Sequence, residues 1–178
     1  MKKIKIFAII LLLVIGGAIL TVYLVGRSQP EEYTVKRAIR LHLPVADVWK
    51  MLAGYDNYTM WRMDLDSVSL PPEAGTWVEY YKGGKSNRFQ MIVVEPERQM
   101  IIRLYSPKPD LSGEWTFHIQ PEGDQISTRL SITETGVVTS PFARAFGLFK
   151  DSPTETLEVY LTMLADHLNQ DIRWIDVK

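Results

Sequence analysis

The chain has 178 residues, 46% apolar and 23% charged, a size that suits one domain with an appendage. It contains no cysteine, which excludes disulfides, zinc–thiolate sites, iron–sulfur clusters and a lipidated thiol. The first 26 residues hold three lysines and no acid, leaving 17 of the 20 basic residues against all 21 acids, a balance of −4 that argues against nucleic acid as a partner.

Ile6 to Val25 carries no charged side chain. As a helix rising about 1.5 Å per residue it spans the roughly 30 Å hydrocarbon core of a bilayer. A cleaved signal peptide is the competing reading. Its apolar region is typically about 7–15 residues and ends in a small-x-small site. Tyr23 to Ser28 offers no Ala-x-Ala, so the segment reads as an uncleaved signal-anchor. Lys2, Lys3 and Lys5 precede it, which places the N-terminus in the cytoplasm and the domain outside, periplasmic or otherwise extracytoplasmic. Lys36, Arg37 and Arg40 weigh against that orientation. The expected division is residues 1–26 as stub and transmembrane anchor, 27–32 as linker and 33–178 as one domain.

Tyr33 to Leu43 alternates as a half-buried strand, with Val35, Ile39, Leu41 and Leu43 on one face. Pro44 ends it and opens a helix carrying Val45, Val48, Trp49 and Leu52 up to Gly54. A second helical piece is expected over Asn57 to Met63. Strands follow at Thr76 to Lys82 and Ser86 to Val94, joined by the turn Gly83-Gly84. Further strands cover Met100 to Tyr105, Glu114 to Gln120 and Gln125 to Thr135. Tight turns between strands imply an antiparallel meander. Phe142, Phe146, Leu148 and Phe149 suggest a short helix or lid. Ser152 and Glu155 then form a capping box around Pro153. The helix they open carries the stripe Leu157, Tyr160, Leu161, Leu164 and Leu168.

That order of elements resembles the START-like superfamily, the polyketide cyclase/dehydrase and lipid-transport family. The residues carrying the resemblance are Ile39-Arg-Leu-His-Leu-Pro-Val-Ala-Asp-Val-Trp-Lys-Met-Leu52, Tyr58-Thr-Met-Trp61, Gly113-Glu-Trp-Thr-Phe117, Thr128-Arg-Leu-Ser-Ile132 and the closing helix. The resemblance implies an α+β helix-grip fold, a curved antiparallel sheet around a long C-terminal helix. It also implies a pocket between sheet and helix for lipids or other apolar molecules. No catalytic motif of a subfamily is present.

His42, His118 and His167 show no ligand spacing with one another, so neither a metal nor a cofactor is expected. Gly83-Gly84-Lys85-Ser86 lacks the spacing of a phosphate loop, and no Gly-x-Ser-x-Gly elbow exists. Asn57-Tyr58-Thr59 is a glycosylation sequon by pattern alone. Glu79, Arg103, Glu114, Arg129 and Glu134 are the charged residues within expected strands. Glu134 and Arg103 stand out because each shares a phase with apolar neighbours, Ile132 for one, Ile101 and Tyr105 for the other. A carboxylate turned into an apolar pocket has a raised pKa and suits acid–base work. Trp61, Trp115, Phe117, Tyr160 and Met91, with Arg103 and Glu134, are the expected pocket lining. Trp174 and Ile175 either pack back on the domain or touch a membrane interface.

Three functions compete. The favoured one is a membrane-anchored binder or carrier of an apolar small molecule or lipid. The others are an envelope-protein interaction module with a vestigial pocket, and a cyclase/dehydratase-type enzyme.

Overall fold

A computed structural model describes residues 2–105, 111–123, 126–147 and 152–176. Its first element is the helix α1 (Lys2–Ser28), whose apolar stretch leaves its side chains uncovered. The domain begins after three intervening residues with β1 (Glu32–Leu41). Arg27 and Ser28, expected in the linker, complete α1, and Glu32 opens β1.

After β1 come α2 (Val45–Ala53) and a 3-10 turn at Tyr55–Met60. The meander then runs through β2 (Leu65–Ser69), β3 (Thr76–Tyr81), β4 (Ser86–Glu95), β5 (Gln99–Tyr105), β6 (Leu111–Glu122) and β7 (Ser127–Val138). Two helices follow, α3 (Pro141–Gly147) and α4 (Pro153–His167), and β8 (Arg173–Ile175) closes the chain. Among the described residues the sheet has eight strands in the order β2-β3-β4-β5-β6-β7-β1-β8, and every neighbouring pair is antiparallel. This is the helix-grip arrangement.

Local chemistry explains the elements. Gly83 and Gly84 both adopt positive φ, 101° and 82°, which suits glycine and closes the β3–β4 hairpin. Ser152 Oγ accepts a hydrogen bond from the Glu155 amide at 3.2 Å, and Pro153 occupies the first turn, so α4 starts where the capping signature places it. Leu157, Tyr160, Leu161, Leu164 and Ala165 of α4 are buried in the core beneath the sheet. Arg37 on β1 ties α4 down through Glu158 at 2.7 Å.

Two strands escape the sequence reading, β2 and β8. Both are short edge strands without a full apolar face, and β2 is bulged between Leu65 and Ser67. β8 settles the place of Trp174 and Ile175: they pair with Ile39 and Ala38 of β1, back on the domain. Of the expected lid, Phe142 and Phe146 lie on α3, while Leu148 and Phe149 fall outside the described residues.

The domain is fastened to α1, not strung loosely behind it. Arg144 of α3 is buried and donates from Nε to the Gly26 carbonyl at 2.8 Å. Its Nη1 donates to Val138 O at 2.7 Å, Thr139 O at 2.8 Å and the Glu31 carboxylate at 3.1 Å. Gly26 lies so close to the Pro141 backbone that no Cβ fits there. Arg144→Ala removes these four hydrogen bonds, at a cost of at least about 2 kcal/mol. Thermal unfolding of the detergent-solubilised chain checks this, and the variant is expected to be cut faster by trypsin after Arg27.

Candidate functional site

A cavity of about 400 Å³ lies between α4 and the inner face of the sheet. β6 supplies Trp115 and Phe117, β4 and β5 supply Phe89, Ile102 and Leu104, and α4 supplies Val159, Tyr160 and Met163. The Tyr160 ring is the hub. Trp115 meets it edge-on at 5.1 Å, Phe117 approaches at 6.0 Å, and Trp61 meets it edge-on at 5.1 Å from behind. Such geometries add about 0.5–1.5 kcal/mol per pair beyond burial and fix the rings in place.

One end of the cavity is polar and locked. Glu79 on β3 is buried, and three donors converge on it. Trp77 Nε1 reaches its Oε1 at 3.0 Å, while Tyr81 Oη and an Arg62 nitrogen reach its Oε2 at 2.6 and 3.4 Å. Arg62 also grips Asp64 with two hydrogen bonds of 2.8 and 2.7 Å. Its guanidinium carbon sits 5.1 Å from the centre of the Tyr160 ring. Burial works against the Arg62 cation, but the Asp64 hydrogen bonds and the Glu79 charge outweigh it and raise its pKa. Burial likewise opposes ionised Asp64, yet the Arg62 hydrogen bonds win and lower its pKa. Burial, helped by Glu79, pushes the Tyr81 hydroxyl up.

The second polar feature is Glu134 on β7, which faces Trp115 across the β6–β7 ladder. Its Oε1 accepts the Tyr33 hydroxyl at 2.7 Å, and its Oε2 is buried. Tyr33 takes this position because its ring lies against Gly136, where a Cβ would collide with it. Burial raises the Glu134 pKa, opposed by hydrogen bonding from the Tyr33 and Trp115 side chains. Burial and the Glu134 charge raise that of Tyr33. The Tyr160 hydroxyl is also buried, beside that of Tyr58, and burial pushes its pKa up.

A carboxyl group with a raised folded-state pKa binds its proton more tightly in the native state. As pH climbs from the unfolded value, near 4.3, the native state holds the extra proton and stability falls. Glu134→Gln keeps an oxygen for Tyr33 and removes the titration. Melting temperature measured against pH is expected to decline less for this variant than for the parent as pH rises above about 4.3.

Of the expected lining residues, Trp115, Phe117, Tyr160 and Glu134 stand on the cavity wall. Trp61 is buried one layer back, behind Tyr160. Met91 shares the phase of Phe89 but packs against the core and does not line the cavity. Arg103 is a correction: it lies on the outer face, ion-paired with Glu114 at 2.6 Å. β5 is apolar on both faces, and the inward phase belongs to Met100, Ile102 and Leu104, leaving Ile101, Arg103 and Tyr105 outside. The cavity wall also includes Arg62, Asp64, Tyr81 and Tyr33, which the sequence does not mark as site residues. A signal existed for one of them, since Trp77, Glu79 and Tyr81 alternate in one phase. Among the described residues no set of His, Asp or Glu side chains is arranged to hold a metal. His42 instead contacts Ser127 Oγ at 3.0 Å.

Fold and cavity together define a helix-grip protein of the START-like class. The chain belongs to the polyketide cyclase / dehydrase and lipid transport family, whose sequence model matches residues 32–160. Protein MLL2253 from Mesorhizobium loti is similar in structure at 17% identity, with a TM-score of 0.60 over 77% of this chain and 97% of that one. The Mll3558 protein from Rhizobium loti is 23% identical, with a TM-score of 0.58 over 76% and 96%. Norcoclaurine synthase from Thalictrum flavum, solved with dopamine and hydroxybenzaldehyde, is 11% identical, with a TM-score of 0.62 over 82% and 91%. At these identities the likeness concerns the fold. No curated protein sequence matches the chain.

Proposed function

We propose that this protein is a membrane-anchored binder or carrier of an apolar small molecule or lipid, held in the cavity under α4. The observation that carries the reading is an apolar cavity of about 400 Å³ walled by fixed aromatic rings, with Glu134 and the Arg62–Glu79 pair as polar groups placed on its wall. Ligand sites are of this kind: mostly apolar, with a few placed polar groups.

The anchor supports the location. The only helix among the described residues long and apolar enough to cross a bilayer spans Ile4–Ser28. α3 packs beside its last turns, where Phe142 meets the Tyr23 ring at 5.8 Å. Phe142 and Phe146 are otherwise exposed, and such aromatic side chains suit the boundary between hydrocarbon and water. Tyr33, which lines the cavity, is only five residues beyond Ser28. One end of the cavity therefore lies close to the anchor, so the ligand is expected to reside in the same membrane. Protease digestion of oriented vesicles tests the side: residues 33–178 should be protected from the cytoplasmic face.

Titration of the full-length chain in nanodiscs with N-phenyl-1-naphthylamine, a neutral apolar fluorophore, tests binding. Saturable one-to-one binding above that of empty nanodiscs is expected. Partition without saturation would remove the proposal. A second reading, proton-transfer catalysis of the cyclase or dehydratase type, is favoured by Glu134, a half-buried carboxyl on the cavity wall beside the Tyr33 hydroxyl. The two readings part on the fate of the ligand. A carrier releases it with unchanged mass and connectivity, and an enzyme does not.

A further inference from the structure

The described wall of the cavity carries one basic side chain, Arg62, against four acidic ones, Asp64, Glu79, Glu134 and Glu155. Arg62 is already engaged, 2.7 Å from Asp64 and 3.4 Å from Glu79. Its charge is thus answered twice over within the protein and leaves no surplus for an incoming anion. Glu134 points the same way: its Oε1 already accepts the Tyr33 hydroxyl at 2.7 Å, so an incoming carboxylate finds no donor there. On the same wall stand Trp115, Phe117 and Tyr160, whose ring faces attract cations and repel anions. Charges beside buried rings act more strongly than charges in open water, so an excess of acid matters more here than at the surface.

We infer that the cavity sorts its ligands by charge: it accepts neutral or amine-bearing apolar molecules with a hydrogen-bond donor, and rejects molecules whose head group is a carboxylate or phosphate. This rests on the binding function proposed above and narrows it. Fatty acids and anionic phospholipids fall outside the accepted class, although the surrounding bilayer holds apolar chains in abundance.

Three probes sharing one ring system test the inference: 2-naphthylmethylamine, 2-naphthylmethanol and 2-naphthoate. Each is titrated calorimetrically into the full-length chain in nanodiscs of zwitterionic lipid, with empty nanodiscs subtracted. The alcohol and the amine are expected to bind, and the naphthoate about tenfold or more weaker than either. Glu134→Gln, checked for an unchanged fold by its melting transition, is expected to narrow the gap between amine and naphthoate. Naphthoate binding as tightly as the alcohol would overturn charge sorting while leaving the binding function intact. If none of the three binds saturably, the binding function fails and charge sorting falls with it.

Discussion

Arg62→Met is expected to destabilise the domain by about 3–5 kcal/mol, because it strands Glu79 as a buried carboxylate without its cation. The Arg62 and Glu79 side chains are only 8% and 3% exposed, so water cannot take over the lost interaction. Two donors, Trp77 Nε1 and Tyr81 Oη, remain on Glu79, but neither carries charge. For a domain of this size the loss corresponds to a fall of roughly 10 °C in melting temperature. The double variant Arg62→Met with Glu79→Gln is expected to recover much of it, since the carboxylate still left without Arg62, Asp64, has a side chain 36% exposed and reaches water. A double-mutant cycle by thermal unfolding measures the coupling. Additive single effects would mean that the two groups do not share one buried network.

Leu104→Trp is expected to weaken binding of an apolar ligand by at least about tenfold while leaving the fold intact. Leu104 lines the cavity from β5, beside the space bounded by Trp115 and Tyr160. An indole there occupies volume that a ligand needs and adds contacts to a wall already aromatic. Unlike a truncation, the substitution opens no new void, so loss of binding without loss of stability points to occupancy. Titration with a neutral apolar probe, run beside a melting curve of the same sample, reads both quantities. Unchanged affinity would place the ligand elsewhere on the molecule.

Much of the architecture is legible in the sequence because local chemistry and packing agree. Ser152, Pro153 and Glu155 announce α4, and its stripe from Leu157 to Leu164 is the face that the fold buries. Gly83-Gly84 fixes a hairpin, and the alternation in β1 selects its inner face. Edge strands carry weaker signals, because a strand paired on one side needs no full apolar face. β2 and β8 go unread for that reason.

The cavity is legible where a wall residue belongs to an unambiguous phase. Trp115 and Phe117 alternate with Glu114, Thr116 and His118, and Glu134 keeps the phase of buried Ile132. Arg103 misleads because β5, with Met100, Ile101, Ile102, Leu104 and Tyr105, is apolar on both faces. Only the assembled sheet decides which face is inside. The Arg62–Glu79 pair is hidden for a different reason. Arg62 lies outside any regular element, and its meeting with Glu79 depends on how the turn at Tyr55–Met60 packs under β3. A buried charge pair also runs against the usual expectation that strand charges are solvated.

Native mass spectrometry of the full-length chain, released from its own membranes in mild detergent, tests the central claim most directly. The protein is expected to carry one apolar molecule per chain, retained by the parent and lost from Leu104→Trp. Bare protein, or a passenger retained equally by the plugged variant, would contradict a ligand held between α4 and the sheet.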